Sequence, residues 1–162
     1  KALGSGPVAA TDLHPYRLDF ALRSGADAAL DARREDLAGA VRSALGGRGA
    51  DLVAVCTAAL PAIEQALRFA DRGGTVLLFA PASPGETFPF PLFDAWNLGL
   101  TIVHSYAGPP DDMRAALALI ASRRVDVASM ITHRLPLAET QDGFRLVAEA
   151  GESMKVIVEP QR

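Results

Sequence analysis

Short apolar runs alternate along this chain with segments whose apolar residues recur at helical spacing. Val8 to Thr11 reads as a short buried strand closed by Asp12, and Pro15 as the first residue of the helix that follows. Leu18, Ala21 and Leu22 share one face of that helix, and Gly25 stands where a left-handed cap is wanted. Ala28 to Leu30 predicts a short strand. Leu37, Val41 and Leu45 form a helical stripe that Gly46-Gly47 stops. Leu52 to Cys56 is apolar throughout, as expected of a parallel strand covered on both faces. Pro61 opens a helix whose buried face is Ile63, Ala66, Leu67 and Ala70. Asp71-Arg72-Gly73-Gly74 then turns the chain into a strand from Thr75 to Phe79. Such β-α-β-α-β alternation predicts a parallel sheet with right-handed crossovers.

The rhythm changes after Phe79. Pro81, Pro84, Pro89 and Pro91 mark a loop that excludes regular helix and central strand. Leu100 to His104 is one more strand, and Gly108-Pro109-Pro110 is the clearest break. A domain boundary is therefore placed near Gly108, dividing residues 1–108 from 109–162. Beyond it the pattern predicts a helix through Met113, Ala116, Leu117 and Ile120, then a strand from Met130 to Leu135. A short helix around Phe144 and Val147 and a strand from Lys155 to Val158 complete the chain. No internal repeat or low-complexity tract is present.

Composition narrows the function classes. With 49% apolar residues the 162-residue chain can build a core. A net charge of −3 does not supply the basic surface that nucleic acid or an anionic membrane requires. No apolar run approaches the ~20 residues of a membrane-spanning helix. A single cysteine, Cys56, excludes an intrachain disulfide and an all-cysteine zinc site, and it points to a reducing cytoplasm. His14, His104 and His133 fit no zinc spacing, so no metal is expected within the chain. Phe88, Phe90, Phe93 and Trp96, in the proline-rich segment, are expected in core packing or a subunit contact.

Asp12 is the leading candidate for chemistry. In nucleotide-binding α/β domains an acidic residue closing the second strand accepts hydrogen bonds from the adenosine ribose, about 20 residues after a glycine-rich phosphate turn. Eleven residues precede Asp12, so that turn and the first strand are expected upstream of Lys1. Gly4-Ser5-Gly6-Pro7-Val8-Ala9 spells G-x-G-x-x-A, yet the phosphate turn needs a strand before it and a helix N-terminus after it. Here a strand follows, so the segment reads as an ordinary turn. On position alone, Asp12 equally fits a residue that closes a turn or caps the next helix.

An ordered set of motifs resembles the cofactor domain of medium-chain zinc-dependent alcohol and polyol dehydrogenases. It comprises Ala9-Ala10-Thr11-Asp12-Leu13 with Arg17-Leu18, Gly25-Ala26-Asp27, Gly49-Ala50-Asp51-Leu52-Val53 with Cys56-Thr57, and Gly73-Gly74-Thr75-Val76. Ser105-Tyr106, the tail Ile131-Thr132-His133-Arg134-Leu135-Pro136-Leu137 and the final Lys155-Val156-Ile157-Val158 continue it. The sorbitol and threonine dehydrogenase branch is the nearest. The resemblance implies the C-terminal half of such an enzyme. Its fold would be a Rossmann-type doubly wound parallel sheet lacking its first strand and glycine-rich loop. Residues 1–108 would be a partial NAD-binding domain, and 109–162 would return to a catalytic domain lying upstream.

The resemblance also assigns a site. Asp12 and Arg17 would face the adenosine ribose, Cys56 and Thr57 the adenine slot, and Phe79, Ala80, Pro81 and Val103 the nicotinamide side. As a buried thiol, Cys56 is expected to be filler. The implied cofactor is NAD, since a carboxylate at Asp12 repels a 2′-phosphate. No catalytic residue is assigned within the chain: zinc and its ligands are expected only in the upstream domain, so these residues alone are expected to be inactive. The implied reaction is hydride transfer between a secondary alcohol or polyol and NAD. Two alternatives stand beside it: a zinc-free NADPH quinone reductase of the same superfamily, and an S-adenosylmethionine-dependent methyltransferase. A homodimer or homotetramer through the edge strand near Leu100 to His104 is implied. Without a first strand between Val8–Thr11 and Leu52–Cys56, the 162 residues are not expected to form the native sheet alone.

Overall fold

The computed structural model describes residues 1–161. Its elements are strands β1 (Ala9–Asp12), β2 (Ala28–Asp31), β3 (Ala50–Val55), β4 (Ala70–Leu78), β5 (Thr101–His104), β6 (Ile131–Pro136) and β7 (Lys155–Glu159). Between them run helices α1 (Pro15–Arg23), α2 (Leu37–Ala44), α3 (Leu60–Phe69), α4 (Leu92–Leu98), α5 (Pro110–Ala121) and α6 (Thr140–Glu149). The strands group into three sheets, ordered β1-β2, β3-β4-β5 and β6-β7. This is an α/β fold with parallel pairing. Two compact units are present: Pro7–Ala9 with Ala32–Ala107, and Lys1–Gly6 with Ala10–Asp31 and the residues from Gly108 onward.

The unit built on residues 32–107 carries the three-stranded sheet. β3 runs parallel to β4 and β4 to β5, with Val53 opposite Val76 and Val76 opposite Ile102. Its core gathers Val55, Ile63, Ala66, Leu67, Ala70 and Val76, and Val76 is fully buried. Of the stripe read for α3, Ile63, Ala66 and Leu67 are buried on the helix together with Phe69, while Ala70 is buried as the first residue of β4. On α2, Leu37 and Val41 are buried, and the Asp36 side chain caps the helix by accepting from the Gly39 N–H at 2.9 Å.

Three features differ from the expectation drawn from the pattern. First, the turn at 71–74 lies inside β4, which spans nine residues and slips register against β3 between Ala50 and Leu52. Glycine permits the slip: a Cβ on Gly74 would lie 2.8 Å from the Asp71 carbonyl oxygen, and one on Gly49 would lie 2.7 Å from the Asp71 nitrogen. Second, β3 is not covered on both faces. Leu52 is 60% exposed while Val55 is buried, because α3 packs against one side only. Third, the proline-rich segment ends in a helix, α4. Pro91 precedes its first residue, a position where the missing proline N–H costs nothing, and Gly99 caps it at φ +63°. Phe88 and Phe90 pack on the core as expected; Phe93 and Trp96 are exposed on α4.

In the other unit β1 pairs with β2, and α1 packs on β2. β6 and β7 run parallel, with Leu135 opposite Val158, and α6 lies against both. Buried Gly143 sets that approach: a Cβ there would come within 3.2 Å of Leu135 Cδ1 and 3.4 Å of Val156 Cγ1. Among the described residues no helix is long and apolar enough to cross a membrane.

Val76→Ala removes two buried methyl groups where neighbouring strands prevent collapse, so the fold should lose about 2 kcal/mol in denaturant titration. The bulge should also be acid-sensitive. The Asp71 carboxylate accepts from the Arg72 N–H at 2.9 Å and from Arg48 Nε at 3.0 Å, which hold it below its ordinary value of 3.8. Both folded and unfolded chains carry the charge above that value, so the bonds then stabilise the fold in full. Their contribution disappears as pH falls through the lowered folded value. Unfolding midpoints at neutral and acidic pH should therefore fall more steeply for the parent than for Asp71→Asn.

Candidate functional site

Asp12 closes β1, and its carboxylate is already partly committed. Oδ1 accepts the His14 N–H at 2.9 Å, which bends the chain directly into α1. That helix begins with Pro15, and its N-cap residue, His14, makes no side-chain capping bond. The local role of Asp12 is therefore turn closure, and it fixes the rotamer. Oδ2 then stands 3.9 Å from Arg17 Nη1, one turn into the helix. The two side chains are 30% and 34% exposed, so solvent or a ligand reaches both. Turn closure thus occupies one oxygen of the carboxylate and leaves the other facing Arg17.

Arg17 has a second contact, which sequence spacing did not signal. Its Nη2 lies 3.5 Å from the carbonyl oxygen of Ser153, 136 residues away. Ser153 itself is 4% exposed and donates its hydroxyl to the Leu146 carbonyl at 2.7 Å. A serine in a polar turn carries no periodic signal, and its contact with Arg17 is made only in the folded chain.

The remaining candidates belong to the other unit and lie at the C-terminal end of its sheet. Phe79 and Ala80 both donate their N–H groups to the Val55 carbonyl, at 3.0 and 3.2 Å, and Ser105 donates to the Leu78 carbonyl at 3.1 Å. These bonds lock the three strand ends together. They also commit the Phe79 and Ala80 N–H groups, so a ligand there would meet carbonyl oxygens. Thr57 Oγ1 accepts the Ala59 N–H at 3.3 Å, at the entrance to α3. Cys56 is exposed, with Sγ 3.9 Å from the Ala54 carbonyl oxygen, which corrects the expectation of a buried thiol. It lies just past the last residue of β3, where the strand has left the cover of α3. Phe79 is 58% and Val103 38% exposed, and Pro81 is exposed too.

A cavity of about 190 Å³ in this unit is lined by Ile63, Leu67, Phe88, Phe90, Ile102 and His104, among others. It is too small and too apolar for a dinucleotide. Among the described residues no group of three or more His, Cys, Asp and Glu side chains comes together to hold a metal ion. The described residues therefore do not fit a zinc site.

Comparison with known proteins sets this geometry in context. Residues 1–122 match the family model described as zinc-binding dehydrogenase. The chain is 34% identical to L-threonine 3-dehydrogenase of Bacillus licheniformis, across 99% of its own length and 46% of the relative's. It is 30% identical to sorbitol dehydrogenase of Bacillus subtilis, again over 46% of that protein. Among solved structures, a protein described as a zinc-binding dehydrogenase from Sinorhizobium meliloti, bound to NADP, superposes with a TM-score of 0.86 at 27% identity. The match covers 97% of this chain and 46% of that one. The alcohol dehydrogenase of a Thermus species gives a TM-score of 0.84 at 31% identity. The chain thus spans about half the length of the proteins it matches.

Proposed function

Since this chain belongs to the zinc-binding dehydrogenase family, we propose that it supplies the cofactor-binding part of an NAD-dependent alcohol or polyol dehydrogenase. The observation that carries the cofactor assignment is the Asp12 carboxylate, fixed through Oδ1 by the His14 N–H and partly exposed. Such a group accepts hydrogen bonds from ribose hydroxyls and repels a 2′-phosphate. When bound, NAD supplies a nicotinamide ring that accepts hydride from the substrate carbinol. The chain's own share of the work is to hold and orient that cofactor. Phe79 and Ala80, with their N–H groups taken by Val55, offer carbonyl acceptors suited to the N–H donors of a carboxamide. Pro81 and Val103 would line the same end, and Cys56 and Thr57 would flank the adenine.

The alternatives fare unequally. The family match and the parallel pairing of β7 with β6 leave no support for the methyltransferase reading, whose last strand usually runs antiparallel. The zinc-free quinone reductase reading gains nothing from the match to a zinc-binding dehydrogenase model, while use of NADPH keeps two supports, the NADP bound to the Sinorhizobium protein and the nearby guanidinium of Arg17.

Cofactor titration followed by nicotinamide fluorescence separates the two. NADH should bind at least about ten-fold more tightly than NADPH, equivalent to ~1.4 kcal/mol. Asp12→Ser combined with Leu13→Arg should bring the two affinities to within about three-fold. Discrimination that survives the double change would overturn the ribose assignment.

The same reading proposes self-association through β5, which lies at one end of the three-stranded sheet. An edge strand presents a row of main-chain donors and acceptors that a second copy can pair. Light scattering should give the mass of a dimer or tetramer; a monodisperse monomer would count against it.

A further inference from the structure

The turn between α6 and β7 is built to aim one carbonyl. Ser153 is the buried polar residue among the described residues, and its hydroxyl donates to the Leu146 carbonyl at 2.7 Å. The next residue, Met154, donates its N–H to Thr132 Oγ1 at 3.1 Å, and that hydroxyl donates to the Lys155 carbonyl 3.3 Å away. The Ser153 carbonyl and the Met154 N–H belong to one trans peptide plane, so they point in opposite directions. Thr132 on one side therefore fixes where the carbonyl points on the other. It points at Arg17, whose Nη2 lies 3.5 Å away while Nη1 lies 3.9 Å from Asp12 Oδ2.

We infer that Ser153 and Thr132 are positioning residues for Arg17 and, through it, set how strongly the chain discriminates NADH from NADPH. The inference rests on the reading of Asp12 as the ribose acceptor. A backbone carbonyl is a neutral acceptor: it holds the guanidinium in place without cancelling its charge. A 2′-hydroxyl at Asp12 meets a carboxylate acceptor. A 2′-phosphate meets that same carboxylate as repulsion, opposed by the attraction of Arg17 beside it. Arg17 thus limits the penalty against NADPH, and its effect depends on being held near Asp12 rather than free in solvent. The fork shape of the guanidinium lets one nitrogen face Ser153 while the other faces Asp12, which a lysine ammonium cannot reproduce.

The test is a double-mutant cycle read on both nucleotides. Arg17→Met should weaken NADPH binding about ten-fold and NADH binding less than about three-fold. Ser153→Ala and Thr132→Val should each weaken NADPH about three-fold, with NADH nearly unchanged, and neither should add to the loss in an Arg17→Met background. A turn that matters only for folding would shift both nucleotides equally and add to Arg17→Met, and that result overturns the inference. Should Ser153→Ala not fold, the Thr132→Val cycle, which leaves the buried serine intact, distinguishes the same two outcomes. Asp12→Ser in parallel separates the two levels. If it leaves discrimination unchanged, the ribose reading fails and the positioning role falls with it. If it relaxes discrimination while the turn variants move both nucleotides alike, the positioning role alone is wrong.

Discussion

Parallel strand pairing is the constraint from which most of this architecture follows. A parallel neighbour can be reached only by a crossover, so β3, β4 and β5 are separated by α3 and α4, and all three strands end at the same edge. Residues far apart in the chain are thereby brought to one rim: Cys56 and Thr57 after β3, Phe79 and Ala80 after β4, Val103 near the end of β5. The rim is then fastened by main-chain bonds, two of which converge on the Val55 carbonyl. What this edge offers a ligand is consequently set by backbone geometry more than by side-chain identity.

The same economy governs the Asp12 region. A carboxylate that ends a strand has to satisfy its local backbone before it can bind anything, and here it does so with one oxygen. The His14 N–H fixes Oδ1, and the direction of Oδ2 follows from the rotamer that results. Arg17 is drawn to that oxygen from one turn along α1 and to the Ser153 carbonyl from the end of the chain. Both contacts are long and partly exposed, so they contribute little stability. What they do is place a positive charge beside the Asp12 carboxylate.

Much of the fold was legible in the order of residues. Periodicity located the helices because burial of one face selects apolar residues every three or four positions; Ile63, Ala66 and Leu67 on α3 are buried as that pattern requires. The apolar runs located the strands, and the ordered motifs located the family. The α4 helix was hidden because four prolines upstream dominate the pattern, although Pro91 in fact stands where a helix tolerates it. The uncovered face of β3 and the exposed thiol of Cys56 were hidden for a different reason. An apolar strand reads the same whether one face or both are covered.

Local chemistry and spacing were enough to specify the alternation of strands and helices, the parallel pairing that it requires and the acidic residue at the end of β1. Three-dimensional packing was needed to divide the two oxygens of Asp12 between His14 and Arg17. It also brought Ser153 to Arg17 across 136 residues. That contact depends on tertiary packing and on which way one peptide plane faces, and neither leaves a periodic trace in the order of the amino acids.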